Sequence, residues 1–118
     1  MSQTDISSLK EIDGFIAGCL VDSETGLMMA SVGGEDMDLE IAAAANTEVV
    51  KAKLGVIKAM ELDDQIQDIL VILGKQLHLI HPLSTDPYVF IYVALDAKRA
   101  NREVARWQVQ QLDKSIVI

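Results

Sequence analysis

The stretch Tyr88-Val-Phe-Ile-Tyr-Val-Ala-Leu95 carries an apolar or aromatic side chain at every position. These residue types favour extended backbone, so the run reads as a strand. Successive side chains of a strand point to opposite faces. A strand with no polar face needs cover on both sides, which calls for a sheet with helices packed on each face. Two more runs share the property. In Gly14–Val21, Phe15, Ala17, Cys19 and Val21 fall on one face and Ile16 and Leu20 on the other. Ile66–Leu73 is apolar on both faces in its second half.

The remaining elements fit around these strands. Asp22-Ser-Glu-Thr-Gly26 is a hairpin turn, and Leu27–Ser31 is the returning strand. Gly33-Gly34 breaks the chain before a long, Ala-rich helix over Asp38–Met60, acidic at its start. Gly74-Lys75 is a tight turn into a strand over Gln76–His81, and Pro82–Pro87 is a loop. Ile6, Leu9 and Ile12 recur at helical spacing, predicting a short helix over Asp5–Ile12 with Thr4 or Asp5 as its cap. Ala97–Leu112 is the closing helix, with Asp96 as N-cap. The predicted order is α-β-β-α-β-β-β-α, with three connections short enough for hairpins. The fold class is α/β (α+β): a three-layer α-β-α sandwich around a five-stranded antiparallel sheet, the long helix on one face and the first and last helices on the other. A chain of 118 residues suits one domain, 1–118, with its ordered core over about residues 5–112.

The long helix has more apolar surface than one sheet takes up. Stepping about 100° per residue from Leu39 places Leu39, Ala43, Val50, Leu54 and Ile57 between about 0° and 60°. Ile41, Ala45, Val49, Ala52, Val56, Ala59 and Met60 fall between about 200° and 300°. The arc is about twice the roughly 100° of an ordinary surface helix. Two packing surfaces are implied, one for the sheet and one for a partner, and the Ala content of the second allows another helix to approach closely. Sequence alone leaves open which patch meets the sheet. If Ile66–Leu73 lies at a sheet edge, it is also an unguarded pairing template, and a two-fold dimer would bury both features. The candidate dimer interface is therefore Ala45, Val49, Ala52 and Val56 on the helix with Ile69 and Val71 on the strand. Glu40, Thr47, Glu48, Lys51 and Lys58 occupy the helix side opposite the apolar patches, and Glu40, Glu48, Lys51 and Lys58 are the candidate docking residues for a further partner.

Composition excludes several classes. With 10 Lys plus Arg against 18 Asp plus Glu, the net charge is −8, opposite to that of a nucleic-acid binder. Lys98, Arg99, Arg102 and Arg106 cluster on one predicted helix beside Asp96 and Glu103 and read as a solvated face. A single cysteine, Cys19, rules out an internal disulfide. The polar opening residues lack a secretory pattern, and no apolar run reaches the roughly 18 residues of a membrane helix, so the cytoplasm is the expected location.

No chemical constellation emerges. His78 and His81 fall on opposite faces of one strand and cannot share a metal. Cys19 stands inside a strand without an evident base, as a small hydrophobe. Ser84, Thr85 and Asp86 read as loop residues without a nucleophile elbow. Gly33-Gly34 is followed by Glu35, Asp36 and Asp38, which repel phosphate, and Gly74-Lys75 lacks the upstream glycine of a phosphate loop. Asp22, Glu24, Asp36, Asp38 and Glu40 flank turns without a calcium-loop pattern. The sequence therefore points to a non-catalytic protein with no metal and no cofactor.

Three segments together resemble the roadblock/dynein light chain family. Gly14-Phe-Ile-Ala-Gly-Cys-Leu-Val-Asp-Ser-Glu-Thr-Gly-Leu-Met-Met-Ala-Ser31 is similar to the family's opening hairpin. The Ala-rich helix follows a glycine-containing loop, as in that family. Leu95-Asp-Ala-Lys-Arg-Ala-Asn-Arg-Glu-Val-Ala-Arg106 is similar to its last strand end and Ala-Asn-x-x-x-Ala-Arg helix start, although Arg102 and Glu103 stand where apolar or small residues are common. The resemblance implies a homodimer or heterodimer with a continuous sheet and paired long helices. It further implies regulation or scaffolding of a small Ras-like GTPase. For such a regulator Arg106 or Arg102 is a candidate source of positive charge, against the simpler reading of both as solvated arginines. Two alternatives stand beside this: a structural adaptor insensitive to nucleotide, and a small-molecule sensor, which the few inward-pointing polar groups disfavour.

Overall fold

The computed structural model describes residues 5–117. Among them, five strands and two helices follow the order β1 (Phe15–Asp22), β2 (Leu27–Gly33), α1 (Leu39–Ala59), β3 (Ile69–Ile72), β4 (Gln76–Pro82), β5 (Val89–Asp96) and α2 (Arg102–Ser115). The strands form one antiparallel sheet in the order β2-β1-β5-β4-β3. β5, apolar throughout, is central, as its lack of a polar face requires. The expected opening helix is a 3-10 turn over Ser7–Glu11. The Asp5 side chain holds the Ser7 N–H at 2.9 Å, and Thr4 lies outside the described residues.

Alternation along the strands divides the core in two. Ala17, Cys19, Val21, Ile80, Phe90, Tyr92 and Ala94 pack with Leu39, Ala43 and Val50 of α1. Leu20, Leu77, Leu79, Val89, Ile91, Val93 and Leu95 pack with Leu9 of the 3-10 turn and with Ala105, Val109 and Leu112 of α2. The pairing of β1 with β5 is irregular between Phe15 and Ala17. Because an extra residue reverses the pleat, Phe15 packs with the α2 cluster and Ile16 with the α1 cluster, opposite to the strict alternation expected.

Three element boundaries differ from expectation for local reasons. The closing helix starts at Arg102 instead of Ala97. Asp96 forms a turn, its carboxylate taking the Lys98 N–H at 2.8 Å, while the Ala97 N–H donates to the Lys75 carbonyl. Asn101 then caps α2 by accepting from the Val104 N–H at 3.1 Å. β3 is shorter than Ile66–Leu73 because Asp68 is drawn out of the ladder by side-chain bonds described below. β2 extends to Gly33, where φ is +68°.

Gly33 and Gly55 predict opposite responses to the same substitution. A Cβ on Gly33 would lie 2.9 Å from the Ile16 carbonyl and 2.7 Å from the Phe15 ring. Gly33→Ala should lose at least about 2 kcal/mol of stability in urea unfolding. Gly55, in the middle of α1, has nothing within 4 Å of an added Cβ. Gly55→Ala should gain about 0.5–1 kcal/mol in the same measurement.

Candidate functional site

The patch of α1 that meets the sheet is the first one. Leu39, Ala43 and Val50 are buried, and Leu54 packs against the same cluster. Thr47, expected on the polar side, is also buried, because its hydroxyl bonds the Ala43 carbonyl at 2.7 Å and its methyl is free to face the core. The second patch is exposed. Ala45, Val49, Ala52, Val56 and Ala59 face outward, with Ile41 66% and Met60 62% accessible. Scattered apolar residues are ordinary on a protein surface, but a stripe running the length of a helix is the form that partner faces take.

The two strand residues of the expected interface behave differently. Pairing of Ile69 with Ile80 and of Val71 with His78 puts both on the α1 side of the sheet. Ile69 is half-buried there, while Val71 is exposed. β3 is an edge strand, and its last residue Ile72 and the following Leu73 are exposed as well. Among the docking candidates, Glu40, Glu48 and Lys51 line an open groove of about 600 Å³ between α1 and the β1–β2 turn, whereas Lys58 is exposed elsewhere on the helix. Glu48 and Lys51 pair at 3.9 Å with both side chains exposed, a geometry that adds little stability.

A charged cluster that sequence reasoning missed lies on the α2 side. His81 is buried with a ring nitrogen bonded at each end: Nδ1 to Asp68 Oδ1 at 2.8 Å, and Nε2 to Asp113 Oδ2 at 2.7 Å. The second oxygen of Asp68 accepts from Arg106 Nε at 2.8 Å. Asp113 also accepts from the Ser84 N–H and hydroxyl. Burial alone would lower the His81 pKa, but the hydrogen bonds and charges of Asp68 and Asp113 outweigh it and raise the pKa above 6.5. For Asp68, burial favours the neutral acid, yet His81 and Arg106 together hold its pKa below 3.8. Arg106 is thus tied to a buried carboxylate instead of lying free in solvent. One signal was available: Asp113 sits in the buried stripe Ala105, Val109, Leu112, Asp113 and Ile116, where an acid needs a partner.

This cluster is not a hydrolytic triad. Ser84 bonds Asp113 and not His81, and both imidazole nitrogens are engaged by carboxylates, leaving no lone pair to accept a proton. On the other face, His78 accepts or donates with Gln76 at 2.8 Å and Tyr92 at 3.3 Å. Burial pushes the Cys19 thiol up to about 12, away from nucleophilic use. Every buried side-chain nitrogen and oxygen among the described residues has a partner, so these groups are engaged with one another. No described helix is long and apolar enough to cross a membrane.

Comparison with known proteins locates the fold. No family model and no curated protein sequence matches the chain. Solved structures do. Myxococcus xanthus MglB is similar over 92% of this chain and 85% of its own, with TM-score 0.80 and 16% identity. A roadblock/LC7 domain from Streptomyces avermitilis is similar over 91% of this chain and 86% of its own, with TM-score 0.78 and 13% identity. The chain has the roadblock/LC7 fold. An MglB with a tetrameric arrangement shares it over 91% of this chain and 83% of its own, with TM-score 0.66 and 10% identity. The similarity covers nearly the whole chain.

The buried cluster yields a stability prediction. Asp113→Ala leaves His81 Nε2 and the Ser84 N–H without their acceptor. It should cost about 3 kcal/mol in chemical unfolding at neutral pH, whereas Lys51→Ala, which removes only the exposed pair with Glu48, should change stability by less than about 1 kcal/mol.

Proposed function

We propose that this protein is a non-catalytic, dimer-forming binding module that acts in the cytoplasm as a regulator or scaffold of a small Ras-like GTPase. The observation that carries the reading is the exposed apolar stripe of α1, Ile41, Ala45, Val49, Ala52, Val56 and Met60, beside a second α1 face already engaged with the sheet. In the dimer, that stripe meets its two-fold copy, and the β3 edges with Val71 and the half-buried Ile69 approach each other. Such an arrangement removes apolar surface from water and closes an open sheet edge together. The tetrameric arrangement described for an MglB of the same fold supports self-association as a use of this scaffold.

The GTPase part of the proposal rests on the family resemblance of the hairpin, the long helix and the α2 start. Glu40, Glu48, Lys51 and Lys58, outside the dimer stripe, form its docking surface. A regulator works by favouring one arrangement of the GTPase switch loops, so its affinity differs between nucleotide states. Capture of native lysate proteins in parallel with GDP and a non-hydrolysable GTP analogue should retain a small GTPase in one state only. Equal capture in both states contradicts the regulator reading and favours a structural adaptor.

The dimer itself has a separate test. Val49→Glu combined with Val56→Glu places carboxylates on the proposed seam, and sedimentation velocity should report a monomer with unchanged far-ultraviolet circular dichroism. Glu48→Ala, off the seam, should sediment like wild type. A double variant that stays dimeric contradicts the interface.

A further inference from the structure

The cluster around His81 joins three separated parts of the chain. Asp68 belongs to the connection between α1 and β3, His81 to β4, and Asp113 to α2. The groups facing His81 from these elements are the carboxylates of Asp68 and Asp113, with the Arg106 guanidinium behind Asp68 and Glu103 acting on Arg106. Ile91, its cross-strand neighbour on β5, is apolar. An adjoining cavity of about 270 Å³ is lined by Asp64 from the connection and Leu54 from α1.

The geometry demands a proton count. A carboxylate 2.7 or 2.8 Å from a ring nitrogen needs an N–H there, and a neutral imidazole has only one. With both carboxylates ionised, the ring must be the doubly protonated imidazolium, which with Arg106 balances the two acids. Loss of a proton leaves one nitrogen lone pair facing a carboxylate in a buried site, and that contact must open. The two arms are unequally held. Asp113 lies within the helix α2 and is fixed additionally by the Ser84 N–H and hydroxyl. Asp68 is fixed by Arg106, whose side chain is 40% exposed, and it precedes a four-residue edge strand.

We propose that His81 is a proton-operated latch: as an imidazolium it ties the α1–β3 connection to β4 and α2 through Asp68, and on losing its proton it releases that connection and the β3 edge that follows. The latch stands on its own geometry and holds in a monomer as in a dimer, so it does not depend on the dimer reading. If the β3 edge is also the dimer seam, the latch controls how firmly that seam is presented.

A folded pKa raised above 6.5 means that the latch is fully closed below about pH 6.5 and weakens as pH rises toward His81's folded value. Opening of the segment should therefore increase by about tenfold per pH unit over that interval and level off above it. Amide hydrogen exchange by NMR on the full chain, corrected for the intrinsic base-catalysed rate and run from about pH 6 to about pH 9.5, reads this directly. His81 ring resonances recorded on the same samples give its pKa. The expected result is a corrected rise at residues 69–72 that levels off at the His81 pKa, with β1 and β5 amides unchanged. Asp68→Asn should bring the His81 pKa down toward 6.5 and shrink the rise. The latch is overturned by flat exchange at β3 while His81 titrates, by an equal rise in every element, or by a His81 that does not titrate above 6.5 within the range.

Discussion

β5 has no side that can face water. Its residues from Val89 to Leu95 are all buried, alternating between the α1 cluster and the α2 cluster. That single requirement places it at the centre of the sheet, with β1 and β4 as its immediate neighbours and β2 and β3 at the edges. It also requires helical cover on each side, and the two core clusters are the two halves of that cover. Gly18 sits under the same cover: a Cβ there would lie 2.7 Å from the end of the Leu9 side chain, so the bare position lets Leu9 of the 3-10 turn pack closely on β1.

The functional reading comes from what the core leaves over. One face of α1 satisfies its side of the sheet, and a second apolar face of the same helix has no use within the described chain. Covering an exposed stripe of that kind favours association through the same hydrophobic term that builds the core, and a two-fold pairing needs no second gene product. The roadblock/LC7 fold is shared with proteins only 10–16% identical to this chain, so fold alone does not transmit their activities. On the proposed reading, the exposed side chains on α1 and along β3 decide what this copy of the fold binds.

Much of the scaffold was legible in the sequence because it depends on periodicity. The five strands, the central position of Tyr88–Leu95, the hairpin at Asp22–Gly26 and the extent of α1 follow from apolar spacing and turn residues. The two apolar patches of α1 are likewise visible in its spacing, although only the structure says which one meets the sheet. What escaped depends on single-residue or long-range chemistry. The irregularity after Phe15 reverses two side chains without changing composition. Asp96 makes a turn where it was expected to cap, and Asn101, five residues on, caps instead. The His81 cluster draws on residues 68, 81, 106 and 113, so no local window contains it. Asp113 in a buried helical stripe was its one visible trace.

The proposed dimer requires the outer stripe of α1 to be covered in solution. Methyl NMR with a soluble paramagnetic agent tests it most directly, because bleaching reports access to each side chain. At a protein concentration that favours association, the methyls of Ile41, Val49 and Val56 should be protected, with Leu27 on β2 strongly bleached. Dilution should restore bleaching along the stripe alone. Equal bleaching of the stripe and of Leu27 at every concentration would rule out the dimer and leave α1 as a bare surface.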